Sequence, residues 1–369
     1  MSPLIQALWT HFKPAMRWLP VWIPYTWMLI FFLIPFLIVF KISISTPEIA
    51  QPPYTPSFDV ANDGFAGTFE KTKEWTLDNY RRVFGLLDDE FASEEPEAET
   101  PAATDDAATT DQSSGEAGSD SSAEGTAETP EPAAEPAESD SGDFNIYIAS
   151  YFSSLWIAFV STALTLLIGY PIAYGMARAP LEWRPTLLMA VILPFWTSQL
   201  IRVYAWIGIL STEGLLNRFL MSTGLISEPL VILQTNTAVY IGIVYSYLPF
   251  MILPLYSALE KMDDTLLEAA SDLGCPPLKA FWQITFPLSL PGVIAGCFLV
   301  FIPAVGEFVI PDLLGGSDTL MIGKVMWEEF FNNRDWPAAS AVAVVLLLIL
   351  VIPIVLFQNQ QQKTQGSVR

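Results

Sequence analysis

Few residues of this 369-residue chain are equipped for chemistry, and they sit in unusual places. Arg202, Glu307 and Asp312 lie within or at the edge of strongly apolar runs, where ionisable groups are costly and usually functional. Gln199, Arg202 and Trp206 recur at spacings of three and four, which is one face of a helix; Trp196 stands about one turn before Gln199. Carboxylates accept hydrogen bonds from ammonium groups, and Trp and Tyr faces attract cations. Glu307 and Asp312, with Trp196, Tyr204, Trp206, Tyr245 and Tyr247, thus form a set suited to recognising a cation. Each also has a plainer reading. Tyr and Trp near the ends of apolar helices commonly anchor them at the bilayer surface, and Glu307 can serve as the structural partner of Arg202. The two roles of Glu307 can coexist, with an Arg202–Glu307 pair closing a gate and re-forming after release. Covalent chemistry has little to stand on. His11 is the single histidine, so neither a triad base nor a metal cluster is available. No HExxH, GxSxG, CxxC or GxxxxGK[ST] pattern occurs, and the last absence removes the recognisable loop for binding ATP.

The elements that must position these residues are membrane helices. The chain is 52% hydrophobic with a mean hydropathy of +0.40, high values for a soluble domain. Six apolar runs are long enough to cross a hydrocarbon core, which takes roughly 20 residues: 19–41, 150–176, 186–209, 237–258, 289–310 and 338–357. The expected architecture is all-α and polytopic, with six transmembrane helices. The first run exceeds the length of a signal-peptide core and no small-residue cleavage site follows it, so it reads as a retained helix. Prolines 35, 171, 194, 249, 303 and 311 fall in or beside the runs, where membrane helices tolerate them as kinks or hinges. Lys13, Arg17, Arg178, Arg184, Lys261, Lys279, Lys363 and Arg369 fall in tails and short loops on one side, against Arg218, Lys324 and Arg334 on the other. This bias places both termini, 1–18 and 359–369, in the cytoplasm.

The formal charge of −22 belongs mostly to one segment. Residues 88–143 hold 19 of the 39 Asp and Glu, and no Lys or Arg occurs between Arg82 and Arg178. That stretch sits in the long loop 42–149. It has a single aromatic, Phe91, and cannot bury enough apolar area to offset its ordering entropy, so it is expected to be disordered. It reads either as a tolerated solvated insertion or as an anionic brush that enriches cations. The earlier part of the loop, to about residue 87, carries aromatic and apolar residues able to pack on the ends of the spans. Cys275 and Cys297 are expected as thiols.

Between the fourth and fifth runs lies LLEAASDLGCPPLKAFWQITFPLSLP, residues 266–291. Thr265 and Glu268 have the spacing of a capping box, which predicts a helix from about Leu266. Gly274 supplies a left-handed stop, and Pro276–Pro277 prevents continuation. A second short helix is predicted over 278–285, ending at Pro287, where the fifth span begins. Leu266, Leu267, Ala270 and Leu273 share a face, and the small Ala269 and Ala270 leave room for another surface to come close.

This element resembles the signature of inner-membrane permease subunits of bacterial ABC importers, here Glu268-Ala269-Ala270, Gly274, Ile284 and Pro287, with Phe286 in place of the usual Leu. SLWIAFVSTALTLLIGYPIAYGMAR, LPFWTSQLIRVYAW, YSYLPFMILPLYSALEKMD and GEFVIPDLLGG are similar to the polyamine branch of that family. FNNRDWPAASAVA is most similar to the first permease subunit of putrescine importers. The resemblance covers roughly 20–85 and 148–360 and leaves out 88–143.

It implies a type I importer permease (MetI-like) fold, a five-helix core over 150–358 and a cytoplasmic coupling loop at 260–287 that docks in a groove of an ATPase. Expected partners are a second homologous permease subunit, a cytoplasmic ATPase dimer, a periplasmic polyamine-binding protein and membrane lipid, with no nucleic acid. ATP and magnesium would belong to the ATPase, leaving no cofactor in this chain. The expected activity is putrescine import by alternating access, for which the cation-recognising set would line the path. The alternatives are spermidine or another cationic solute, or a membrane scaffold that does not transport.

Overall fold

The computed structural model describes residues 3–56, 75–86 and 146–366; the side chains of 3–21, 352–353 and 356–366 lie outside that description. Residues 87–144 separate as a second unit and contain the acidic segment 88–143, so its expected disorder falls outside the described residues. The described residues are mostly helical. Helix α1 (Pro3–Ser43) is followed by a two-stranded antiparallel hairpin, β1 (Thr46–Pro47) and β2 (Tyr54–Thr55), with Thr46 opposite Thr55. Then come α2 (Asp78–Val83), α3 (Ile146–Arg178), α4 (Arg184–Ile192), α5 (Gln199–Leu210), α6 (Leu215–Ser222) and α7 (Asn236–Glu260). The chain ends with α8 (Thr265–Asp272), α9 (Pro277–Ala280), α10 (Phe286–Val305), α11 (Val309–Leu314), α12 (Ile322–Trp327) and α13 (Trp336–Gly366).

Among the described residues, four stretches are long and apolar enough to cross a bilayer without interruption: Trp22–Ser43, Ile146–Arg178, Asn236–Glu260 and Pro277–Val305. The third predicted run is not one rod. Arg184–Trp196 and Gln199–Ser222 meet at a 90° bend. The cause is local: Leu193–Trp196 tightens into a 3₁₀ turn starting with a proline at its second position, and Thr197 and Ser198 are extended, with ψ of 149° and 137°. One further expectation needs correction. The predicted fifth span, 289–310, stops as a helix at Val305, and Gly306–Phe308 separates it from α11. The predicted sixth, 338–357, lies in α13, whose described apolar part is Trp336–Val351.

Helices α3, α7 and α10 pack on one another as the central bundle, and α1 lies along α13. The backbones come very close. A Cβ added at Gly292 of α10 would stand 2.6 Å from Ala258 Cβ and 2.8 Å from the Pro254 carbonyl oxygen on α7. Small residues permit such approaches in lipid, where van der Waals packing carries much of helix association. Filling that gap would cost about 1–3 kcal/mol. Pro171, Pro249, Pro254, Pro291 and Pro303 sit within these helices.

The described parts of the loop after α1, 44–56 and 75–86, pack on one end of the bundle, as the aromatic and apolar residues there suggest. The buried Asn79 amide donates to the carbonyls of Ser43 (3.0 Å) and Ser45 (2.7 Å). Arg82 pairs with Asp335, which also accepts the Ala338 amide at the start of α13 (2.9 Å). Burial works against the Arg82 charge, but Asp335 outweighs it and raises its pKa. This is the hairpin end of the bundle; residues 178–184 and 260–287 form the opposite, motif end.

Candidate functional site

At the motif end, α8 begins differently from the capping box expected there. Thr265 is already helical, and its amide donates to Asp263 Oδ1 at 3.0 Å. An aspartate bonding the amide two residues on forms an Asx turn. That bond and the one to the Thr265 hydroxyl pull the Asp263 pKa below its ordinary value. The Glu268 amide is taken by the Asp264 carbonyl at 3.1 Å, so the Thr265 hydroxyl has no call on it.

The other end of α8 follows the sequence closely. Gly274 has φ of +74°, its amide donates to the Ser271 carbonyl (2.8 Å), and the Cys275 amide reaches back to the Ala270 carbonyl (2.9 Å). These two bonds make a complete Schellman motif.

Beyond Pro276 the expected second helix does not end at Pro287. Helix α9, a π-helical turn at Phe281–Thr285 and α10 run on as one stretch. Proline lacks an amide and its ring crowds the carbonyl four residues back; a wider turn accommodates both.

The element is tied to the bundle on one side and bare on the other. Arg178, the last residue of α3, pairs with Asp264 and lies over the Tyr174 ring at 5.5 Å. Arg184 at the start of α4 reaches Glu260 (3.7 Å), which also accepts the Tyr256 hydroxyl (2.8 Å). Phe281 meets Tyr170 edge-on at 5.5 Å, and the Tyr170 and Ser289 hydroxyls are 2.9 Å apart. Ala270 is buried, Leu267 and Ile284 half-buried, and Glu268, Ala269 and Pro287 exposed. Leu266 is also exposed, and Leu273 and Leu278 are 88% and 72% exposed. The face predicted from spacing is therefore split: Ala270 and Leu267 turn to the bundle, and Leu266 and Leu273 turn away.

Of the cation-recognising set, the structure assembles two groups and separates the expected ion pair. Glu307 sits in the break between α10 and α11 and is buried. Its Oε1 accepts the amides of Val309 (3.2 Å) and Ile310 (3.5 Å), and its Oε2 accepts the Tyr247 hydroxyl. The carboxylate is thus the N-terminal cap of α11. Trp206 and Tyr245 meet edge-on at 5.3 Å. Asp312 stands 3.9 Å from Lys324. Trp196 and Tyr204 are exposed.

Arg202 does not pair with Glu307. Its guanidinium lies over Phe195 at 5.3 Å, and its buried Nε has no hydrogen-bond partner among the described residues. Phe195 meets Phe250 edge-on at 5.0 Å, and Phe250 lies 6.0 Å from Tyr247. Three aromatic rings thus stand between the two charges. Sequence reasoning missed Phe195 and Phe250 because a Phe in an apolar run looks like ordinary core. It missed Asp263 although an Asp two residues before a helix start is a turn signal.

A family model described as binding-protein-dependent transport system inner membrane component matches residues 142–364. The spermidine/putrescine transport system permease protein PotB of Haemophilus influenzae is 48% identical over 198 residues, 54% of this chain and 69% of that protein. PotB of Escherichia coli is equally similar, over 72% of its length. A chain in the crystal structure of a bacterial ABC transporter involved in the import of the acidic polysaccharide alginate superposes with a TM-score of 0.58 at 14% identity, covering 97% of this chain and 99% of that one. That likeness extends the family's fold over the helices built here, and the motif element and the broken helices lie within the matched region: this chain belongs to the binding-protein-dependent transport system inner membrane components.

Proposed function

We propose that this chain is a permease subunit of an ATP-driven polyamine importer, with putrescine as its substrate and both termini in the cytoplasm. It forms half of a path shared with a second, homologous permease chain. A periplasmic polyamine-binding protein delivers the substrate, and a cytoplasmic ATPase pair supplies the energy. The relatives' names join spermidine with putrescine, which favours spermidine as a second substrate.

The observation that carries the coupling role is the motif end. A short helix with an exposed apolar edge, Leu266 and Leu273, is stopped at Gly274 and anchored at Asp264 to Arg178. Glu268 and Ala269 lie on its exposed side. A groove in an ATPase would cover this edge, and the Arg178–Asp264 pair with the Tyr170–Phe281 contact would pass its displacement to α3 and α10. Trp206 with Tyr245, and Tyr247 with Glu307, line the path for the diamine in this reading. Glu307 keeps Tyr247 in place until an ammonium group competes for its carboxylate. Trp196, Arg202, Tyr204 and Asp312 border the same path.

The test is uptake of labelled putrescine, with unlabelled spermidine as competitor, in cells lacking this chain. Wild type should restore uptake and Glu268→Arg should not. Strong competition by spermidine would select the two-substrate reading. Uptake that never depends on this chain would overturn the polyamine assignment.

A further inference from the structure

A groove of about 590 Å³ runs between α3 and α10, and among the described residues these two helices alone line it. Phe159, Ala163 and Leu166 stand on one wall, Val293, Cys297 and Phe301 on the other. The groove exposes no polar surface. The Thr162 hydroxyl beside it is turned back onto the Ala158 carbonyl at 2.7 Å. No Asp, Glu, Lys or Arg occurs from Ile146 to Ala177 or from Phe286 to Val305. Phe159–Leu166 falls in the middle third of the 33-residue α3, so the groove lies deep in the hydrocarbon core.

Three features decide what fits there. The first is where the small residues point. A Cβ added at Gly169 of α3 would stand 3.0 Å from the Met251 side chain of α7, and one at Gly296 of α10 would stand 2.7 Å from it. Helices associate in lipid through such small-residue faces, and α3 and α10 have turned theirs inward to α7. Their groove side has a bulky rim instead, with Phe159 61% exposed. The second is width. A helix is about 10–12 Å across, and over the two turns from Phe159 to Leu166 it would need roughly twice the volume present. The third is that the spare helix of this chain is placed elsewhere, since α1 lies along α13. A slender, flexible and wholly apolar occupant fits where a helix does not. At this depth that description selects a hydrocarbon chain, and a polar headgroup would find no partner in the groove.

We propose that the α3–α10 groove is a site for an acyl chain of a membrane phospholipid. The chain braces α3, which ends in the Arg178–Asp264 joint, against α10, which runs into the break at Gly306–Phe308. The inference goes beyond the permease reading and does not depend on it.

The test uses the full chain, purified with the chains that accompany it and placed in bilayers. The probe is phosphatidylethanolamine with a diazirine midway along one acyl chain, and adducts are mapped by mass spectrometry. Labelling of 159–166 and 293–301 should exceed, several-fold, that of Phe31 and Phe32. Those two residues lie at the middle of the span Trp22–Ser43 and are 58% and 68% exposed. Ala163→Trp, which fills the groove, should reduce its labelling to the level at Phe32 and leave α1 unchanged. Equal labelling of groove and α1 in the wild type would overturn the site, as would labelling that Ala163→Trp does not lower. A photoreactive amino acid at position 159 that crosslinks to another polypeptide would overturn the choice of occupant. The wild-type comparison with α1 needs no substitution, so a misfolded Ala163→Trp leaves the proposal falsifiable. No transport is read, so failure here and failure of the permease reading are separate results.

Discussion

At the scale of single residues, Glu307 shows how much a carboxylate's meaning depends on its neighbours. Its position in an apolar run marks it as functional, and its type suggests a salt bridge to Arg202. In the fold it caps α11 and receives the Tyr247 hydroxyl. The run of residues could not reveal this, because the break at Gly306–Phe308 that creates the free amides is itself a tertiary feature. Glu307→Ala should therefore lower stability by about 1–3 kcal/mol, the cost of orphaned buried partners. Glu307→Gln, which keeps an acceptor for the amides, should cost less. Thermal midpoints of the purified complex would compare the two, and equal effects would contradict the capping role. Asp263 gives a pH-dependent counterpart. Its pKa is lowered by the bonds from Thr265, so its contribution is present above the ordinary carboxylate pKa and is lost as pH falls through the lowered value. The stability gap between wild type and Asp263→Asn should be constant near neutral pH and close on acidification below about pH 4. A gap that widened in acid would contradict this sign.

At the scale of elements, composition and punctuation were the legible part. Apolar runs located the helices, and Gly274 followed by two prolines located the stop of α8, because a left-handed residue and a missing amide act locally. What was not legible came from longer range. The third run bends by 90° because Pro194 and the extended Thr197–Ser198 outweigh its hydropathy. Pro287 does not break its helix, since a π-helical turn absorbs it. The joint between Arg178 and Asp264 spans 86 residues of sequence and carries no local signal. Asp264 is largely exposed, and exposed pairs contribute only about 0.2–1 kcal/mol. The account therefore expects little change in thermal stability from Arg178→Asp or Asp264→Arg alone. It expects instead a loss of ATPase stimulation by substrate, restored in part when both reversals are combined. Stimulation that survives each single reversal would mean that displacement of α8 reaches the bundle without this joint.

At the scale of the whole molecule, the described residues form a helical bundle with a polar, aromatic-lined break on one helix path and a bare, anchored helix at the motif end. The exposed Leu273 and Leu278 at one end are the edge that the proposed ATPase would cover. The family could be read from the sequence because its motif is local: Glu268-Ala269-Ala270, Gly274 and Pro287 act through helix ends and spacing. The choice of polyamine could not be read from it with the same force, because the pairs Trp206–Tyr245 and Tyr247–Glu307 exist only after α5, α7 and the α10–α11 break are brought together. The central claim is that substrate transport is driven through the 264–287 element. The most direct measurement is ATP hydrolysis by the purified importer in lipid, with its binding protein, with and without putrescine, for wild type and Glu268→Arg. The account predicts hydrolysis stimulated by putrescine in the wild type and lost in Glu268→Arg, with the bundle still folded. Equal stimulation in both would contradict it.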